Sequence, residues 1–228
     1  TFAALTKQLS AMSPVLLQRA VEWAYLSESR NSFEIEQEAP SGSKSERFMA
    51  LLKGVEKFQT LNEEVLCRVQ NAIVSSACVR ATGWRTEQTW LAQAGTAGVR
   101  CVTYVPPAPE WLDDLLAGFL RLANTSAGSI NPLIVAGVVS FGFVFLHPFM
   151  DGNGRLSRFL IHQQLFRGGV LPQNTVLPVS AMMLEHEYEY LQALAAFSAP
   201  CRELWDVMQV GEAEYDFRFK GSQASYRY

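Results

Sequence analysis

The sequence is short of concentrated positive charge, of paired cysteines and of histidine. Its 19 basic residues are scattered and stand against 22 acidic ones, for a formal net charge of −3. Without a Lys/Arg block there is no dense face for phosphate contacts, which argues against nucleic acid as the main partner. Cys67, Cys78, Cys101 and Cys201 lie far apart with no Cys-x-x-Cys, and three histidines cannot complete a zinc set at ligand spacing. The thiols are expected to be buried and free, as in a reducing cytosol. The most apolar stretch, 133–146, falls short of the ~20 residues of a membrane span and stops at His147-Pro148. Thr1-Phe2-Ala3 shows no charged segment leading into an apolar run, so no signal peptide is expected, and the expected compartment is the cytoplasm with no membrane partner. Fifteen glycines and ten prolines are too few for collagen-like or low-complexity chains, and no internal repeat is visible.

What is present is core material. Of 228 residues, 49% are hydrophobic and 18% charged, enough for one large domain or two small ones. Most of the chain reads as helix. Ser13-Pro14 carries a helix-start signature, and Leu17, Ala20, Val21, Ala24 and Tyr25 follow at helical spacing. That helix is expected to fade into the polar stretch 27–38. A capping box, Ser43-x-x-Glu46, predicts a second helix, and Asn62 opens a third. Leu112, Leu115, Leu116 and Phe119 mark a fourth, and Asn131-Pro132 starts an apolar one that reaches Leu146. Another follows the glycines after Asp151 and stops at Gly168-Gly169, with weaker helical runs at 180–197 and 202–209. Residues 99–105 are rich in β-branched and aromatic types and form the one convincing extended segment, ended by Pro106-Pro107. The expected fold class is mainly α with one short β element.

Chemistry is concentrated at 147–158. Gly152-Asn153-Gly154 is a small-residue turn that can aim backbone N–H groups at one point, at the start of a helix whose dipole adds positive charge. Arg155 and Arg158 share a face in that first turn, where basic residues oppose the dipole and are poor choices for stability alone. An anionic, phosphate-bearing substrate offsets that cost. Asp151 at the edge of the cradle is a hard ligand suited to Mg²⁺, and His147 supplies a base that titrates near neutrality. Together these residue types describe phosphoryl or nucleotidyl transfer.

The pattern His-x-Phe-x-Asp-Gly-Asn-Gly-Arg-x-x-Arg, standing at 147–158, resembles the complete signature of the Fic family. The resemblance implies a helical bundle with a short β-hairpin flap and transfer of AMP from ATP to a Ser, Thr or Tyr hydroxyl of a protein substrate. It implies His147 as general base, Asp151 on Mg²⁺, and Gly152, Asn153 and Gly154 as the anion hole, with the Asn153 side chain on the α-phosphate. Arg155 and Arg158 would take the β- and γ-phosphates, and Phe149 would anchor the loop in the core. The family's inhibitory motif, Ser/Thr-x-x-x-Glu-Gly/Asn, is similar to 32–37, where Ser32 and Glu36 fit and Gln37 departs. Glu36 is favoured over Glu34 and Glu38 as the residue that pairs with Arg158. The implied organisation is an N-terminal helical region, 1–95, carrying an inhibitory helix at about 27–38. A catalytic core at 96–228 would hold a flap at about 98–106, with Val102, Thr103 and Tyr104, where a target segment would pair.

Blander readings compete at each point. Asp-Gly-Asn-Gly alone is a turn or half a calcium loop, but an EF-hand glutamate is missing, since position 162 is His162. Residues 34–38 read alone are a solvated acidic stretch. Arg167 reads as a solvated helix-end charge, and His162 and His186 as surface or packing residues. Tyr188 and Tyr190 could wall an adenine pocket, though aromatics at helical spacing more often belong to a core. Rival functions are removal of AMP, use of another nucleotide or phosphate donor, and a nucleotide-binding regulatory module without turnover.

Overall fold

The computed structural model describes residues 13–39, 42–74, 76–92, 98–125, 130–212 and 214–226. Among them lie eight α-helices and two small antiparallel sheets. Helix α1, Pro14–Ile35, begins where Ser13 Oγ accepts the Leu16 N–H at 3.3 Å and Pro14 sets the first turn. It does not fade at Ser27. Its polar stretch faces inward, with Glu28, Ser29 and Ser32 buried beside Tyr25 and Phe33. Each finds a partner: Ser29 Oγ donates to Ser45 O at 2.8 Å, and the Glu28 carboxylate accepts the Ser180 N–H and O–H at 2.9 and 2.7 Å. Satisfied polar groups let a hydrophilic segment serve as an interior face.

Helix α2, Gly42–Lys53, starts ahead of Ser43, so the expected capping box lies inside its first turn. Helix α3, Glu63–Ile73, is capped by Asn62 Oδ1 on the Val65 N–H at 2.8 Å. Helices α4, Leu112–Asn124, α5, Pro132–Leu146, and α6, Asn153–Arg167, follow the sequence pattern closely. The central pair is α5 and α6, joined by the 147–152 turn and packed on each other more extensively than any other two elements. Helix α6 is buried on nearly every side, and its amides are used accordingly: Gln163 Nε2 donates to Phe58 O and Gln164 Nε2 to Ala123 O. Arg167 is not the solvated charge expected; it donates to Ala123 O and Asn124 O and closes the C-terminal end of α4. The 180–197 run is two helices, α7, Val179–Glu185, and α8, Glu187–Glu203, divided at His186.

Strand β1, Leu91–Ala92, pairs antiparallel with β2, Val102–Tyr104. The expected extended segment is therefore shorter than 99–105, because 98–101 forms a 3₁₀ turn, and its partner comes from a region without a strand signal. The hairpin thus begins at 91, ahead of the 98–106 span read as the flap, and the 95/96 division falls between its two strands. The run 202–209, expected to be helical, leaves the helix after Glu203. From Trp205 the chain is extended, as β3, Trp205–Gly211, paired with β4, Glu214–Phe219, in the register Trp205 opposite Phe219 and Val207 opposite Phe217. Alternation puts Tyr215, Phe217 and Phe219 on one face, against Trp90, Trp111 and Trp205, and that burial overrides the helical spacing. Of the four free cysteines, Cys67, Cys101 and Cys201 are buried and Cys78 is exposed. No helix among the described residues is long and apolar enough to cross a membrane.

Candidate active site

The site is the turn between α5 and α6. His147 ends α5 in the left-handed region, φ 49° and ψ 56°, with its N–H on Phe143 O at 3.0 Å. Its ring Nδ1 lies 3.1 Å from Val144 O. A carbonyl only accepts, so Nδ1 carries the proton and Nε2 keeps its lone pair. Burial pushes the imidazole pKa down to about 4, reinforced by Arg85 and opposed by the Val144 carbonyl and by Glu36 and Asp151. The ring is thus neutral at physiological pH.

Arg85, on the loop after α3, was not singled out by any sequence signal, yet it holds this turn in place. Its backbone N–H donates to Pro148 O at 2.9 Å, and its guanidinium donates to the carbonyls of His147 at 2.9 Å and Glu87 at 2.8 Å. Phe149 anchors the turn from beneath, buried against Trp84 and Phe143. Asn153 Oδ1 accepts the Phe149 N–H at 3.1 Å and Nδ2 donates one proton to Phe149 O at 2.7 Å, so the side chain closes the turn and keeps its second Nδ2–H, besides the backbone N–H, for a ligand.

The cradle itself is backbone. Gly152 has φ 86°, a conformation that side chains rarely adopt, and its N–H bonds Asp151 Oδ1 at 2.6 Å. The first intrahelical bond of α6 is Leu156 N–H to Gly152 O at 2.9 Å, which leaves the N–H groups of Asn153, Gly154 and Arg155 without a helical acceptor. Asp151 is half-exposed, and no cluster of three or more acidic, His or Cys ligands exists among the described residues. Mg²⁺ suits such a place, because it is commonly held by one or two carboxylates with phosphate oxygens and water completing its shell.

Both arginines are buried, with side chains 4% and 1% exposed. Arg158 donates through Nε to Ser32 Oγ and through Nη2 to Ser32 O and Glu36 Oε1, all at 2.7–2.8 Å. Arg155 donates to Glu38 Oε2 at 2.6 Å and Asp151 Oδ1 at 3.0 Å, and stacks over the Phe33 ring at 5.0 Å. Among the described residues, Arg155 Nε and Arg158 Nη1 find no hydrogen-bond acceptor. Buried guanidinium N–H groups without partners fit an anionic ligand. The α1 end thus brings Ser32 and Glu36 to one arginine and Glu38 to the other, while Glu34 is exposed. A methyl group at Gly154 would come within 2.1 Å of Glu36 Oε1, so the glycine is what admits the carboxylate.

Gln37 adopts φ 53° between the two glutamates. That left-handed geometry explains physically why glycine or asparagine suits the position. Tyr190 lies beside Arg158 on α8 at the edge of the site, its phenol pushed up by burial, while Tyr188 is exposed. Of the three residues read as the flap, Thr103 is exposed and donates to Leu91 O at 3.2 Å. Val102 and Tyr104 are buried, with Tyr104 Oη on Phe145 O at 2.6 Å and Val102 O occupied by Arg202.

A neutral imidazole thus lies beside a turn of unpaired backbone N–H groups, with two buried arginines on the helix that follows, in a mainly helical domain. Residues 60–165 match the model of the Fic/DOC family. It is 40% identical over 70 residues to proteins called protein adenylyltransferase Fic from Drosophila ananassae and Drosophila persimilis. That stretch is 30% of this chain and 14% of those relatives. Among solved structures, a Fic-domain-containing signaling protein from Bacteroides thetaiotaomicron shares the fold with a TM-score of 0.62 and 18% identity, over 84% of this chain and 78% of that one. Fic-1 from C. elegans aligns with a TM-score of 0.54 and 17% identity, over 89% and 70%.

Proposed function

We propose that the chain is a protein adenylyltransferase that transfers AMP from ATP to a Ser, Thr or Tyr hydroxyl of a polypeptide, and that its own α1 holds it off. The observation that carries this reading is the convergence on one turn of a neutral imidazole, a backbone anion nest and two buried guanidiniums with unused N–H groups. His147 takes the hydroxyl proton at Nε2, and the resulting imidazolium shares its Nδ1 proton with Val144 O. The N–H groups at the start of α6 face the charge that develops on the reacting phosphate, while Arg155 and Arg158 orient the remaining phosphates. Asp151 would hold Mg²⁺, which when bound supplies further positive charge to a triphosphate. The name borne by the Drosophila relatives supports AMP as the transferred group.

Inhibition follows from competition. Glu36 occupies Arg158 and Glu38 occupies Arg155, so phosphates that use these arginines must displace both carboxylates. Mass spectrometry after incubation with ATP and Mg²⁺ tests the reading. Glu36→Gly is expected to carry more AMP on itself or on added lysate proteins than wild type, Glu38→Ala to add to that increase, and His147→Ala to abolish it. An unmodified Glu36→Gly protein that still binds ATP would instead make the chain a nucleotide-binding module.

A further inference from the structure

A cavity lies beside the start of the β1–β2 hairpin, at Trp90. It encloses about 410 Å³ between β4 and the segments 88–90 and 108–111. Its walls are aromatic. Trp90 sits 5.6 Å from Tyr215 and 5.4 Å from Phe217, and Trp111 sits 4.8 Å from Phe219. Two exposed carboxylates, Glu110 and Asp216, also line it, and neither forms an ion pair among the described residues. The nearest buried cation, Arg85, spends its N–H groups on backbone carbonyls. Aromatic faces with carboxylates form a site for a cation on a slender stem, since the ring quadrupoles and the negative charges attract it together.

The cavity is continuous with the proposed target path. Trp90 directly precedes β1, whose residues Leu91 and Ala92 are exposed, whereas the far side of β2 is covered by α8 through Arg202. Among the described residues no strand pairs with the outer edge of β1, and a segment added there passes Trp90. The other end of this path is the catalytic turn, to which residue 85 is bonded. An extended chain covers at most ~3.6 Å per residue, so the Cα atoms of residues 85 and 90 lie no more than about 18 Å apart and the aromatic walls stand within a few residues' reach of the catalytic turn.

We propose that this cavity receives an arginine or lysine side chain of the polypeptide target, a few residues from the hydroxyl that His147 deprotonates. The assignment rests on the transferase reading above and adds a class of substrate to it: hydroxyl-bearing segments with a basic residue at that spacing.

Synthetic peptides with one central Thr and one Arg stepped outward on either side, compared with the all-Ala parent, test it. Binding to the wild-type chain is measured by calorimetry, and AMP transfer is measured with Glu36→Gly. Arg at the right distance should tighten binding and lower KM about fivefold or more, with kcat unchanged. Glu110→Gln/Asp216→Asn, which changes only exposed groups, should erase that advantage, while Asp113→Asn should keep it. Equal behaviour of Arg and Ala peptides overturns the proposal, as does an advantage that survives in the double variant. Calorimetry separates the two readings: a charge-dependent preference without any AMP transfer supports the cavity and sinks the transferase, and transfer without preference does the reverse.

Discussion

His147 shows how one residue can carry opposite signs for stability and for chemistry. Its folded pKa of about 4 lies below the unfolded value of about 6.5, so protons bind the unfolded chain more readily. The stability that this group contributes is complete above pH 6.5 and is lost as pH falls from there towards 4. The same shift keeps the base available, and the acid limb of kcat/KM for transfer is expected to turn near pH 4 to 5 rather than near 6.5. A pH–rate profile of Glu36→Gly checks this, and His147→Ala should lose ~10²–10⁴ in rate while keeping ATP affinity. Gln37 is a second informative residue. It is exposed and held at φ 53°, so Gln37→Gly should stabilise the protein by about 1 kcal/mol, read by denaturant unfolding.

At the scale of the element, α1 works as a lever pinned away from the site. Glu28 sits two turns before Glu36 and is buried, with its carboxyl pKa pushed up by desolvation and held back by His162, Ser180 and Arg158. Three contacts from Ser180 hold it to the start of α7. His162 links the same region, with its ring nitrogens 3.0 and 3.1 Å from Arg158 O and Leu177 O. Glu28→Gln leaves the Arg158 contacts of Ser32 and Glu36 intact but weakens this anchor. It should cost about 1–3 kcal/mol of stability and raise self-modification by ATP. Unchanged modification in a measurably destabilised variant would show that α1 release does not limit activity.

Across the whole molecule, the C-terminal hairpin supports the flap. Tyr226 is fully buried and its hydroxyl donates to Val105 O at 2.8 Å while accepting from Trp205 Nε1. The Tyr215 hydroxyl lies 3.1 Å from Cys101 Sγ and 3.3 Å from Gly98 O, so the hairpin also grips the 3₁₀ turn before β2. Tyr226→Phe should destabilise the chain by about 1–3 kcal/mol. Hydrogen exchange should rise first at 102–105 and leave α5 and α6 protected; uniform loss of protection would mean that flap and core open as one unit.

The sequence by itself determined the helices with strong caps and the chemical content of 147–158, because caps, apolar spacing and small-residue turns are local signals. Asn62, Asn131 and the glycines around Asn153 stand where the chain turns into helix for reasons readable within a few residues. Tertiary structure alone decided which way polar groups face. Residues 27–38 read as a polar stretch into which the helix fades because nothing nearby could satisfy them; their partners include Ser45, Ser180 and Arg158, the last 122 positions from Glu36. The same holds for 205–219, whose strand character depends on Trp90 and Trp111, and for which arginine Glu36 and Glu38 each meet. A backbone turn at positive φ swings Glu36 onto Arg158 and Glu38 onto Arg155, and only the packed position of α1 against α6 makes those two arginines available to them.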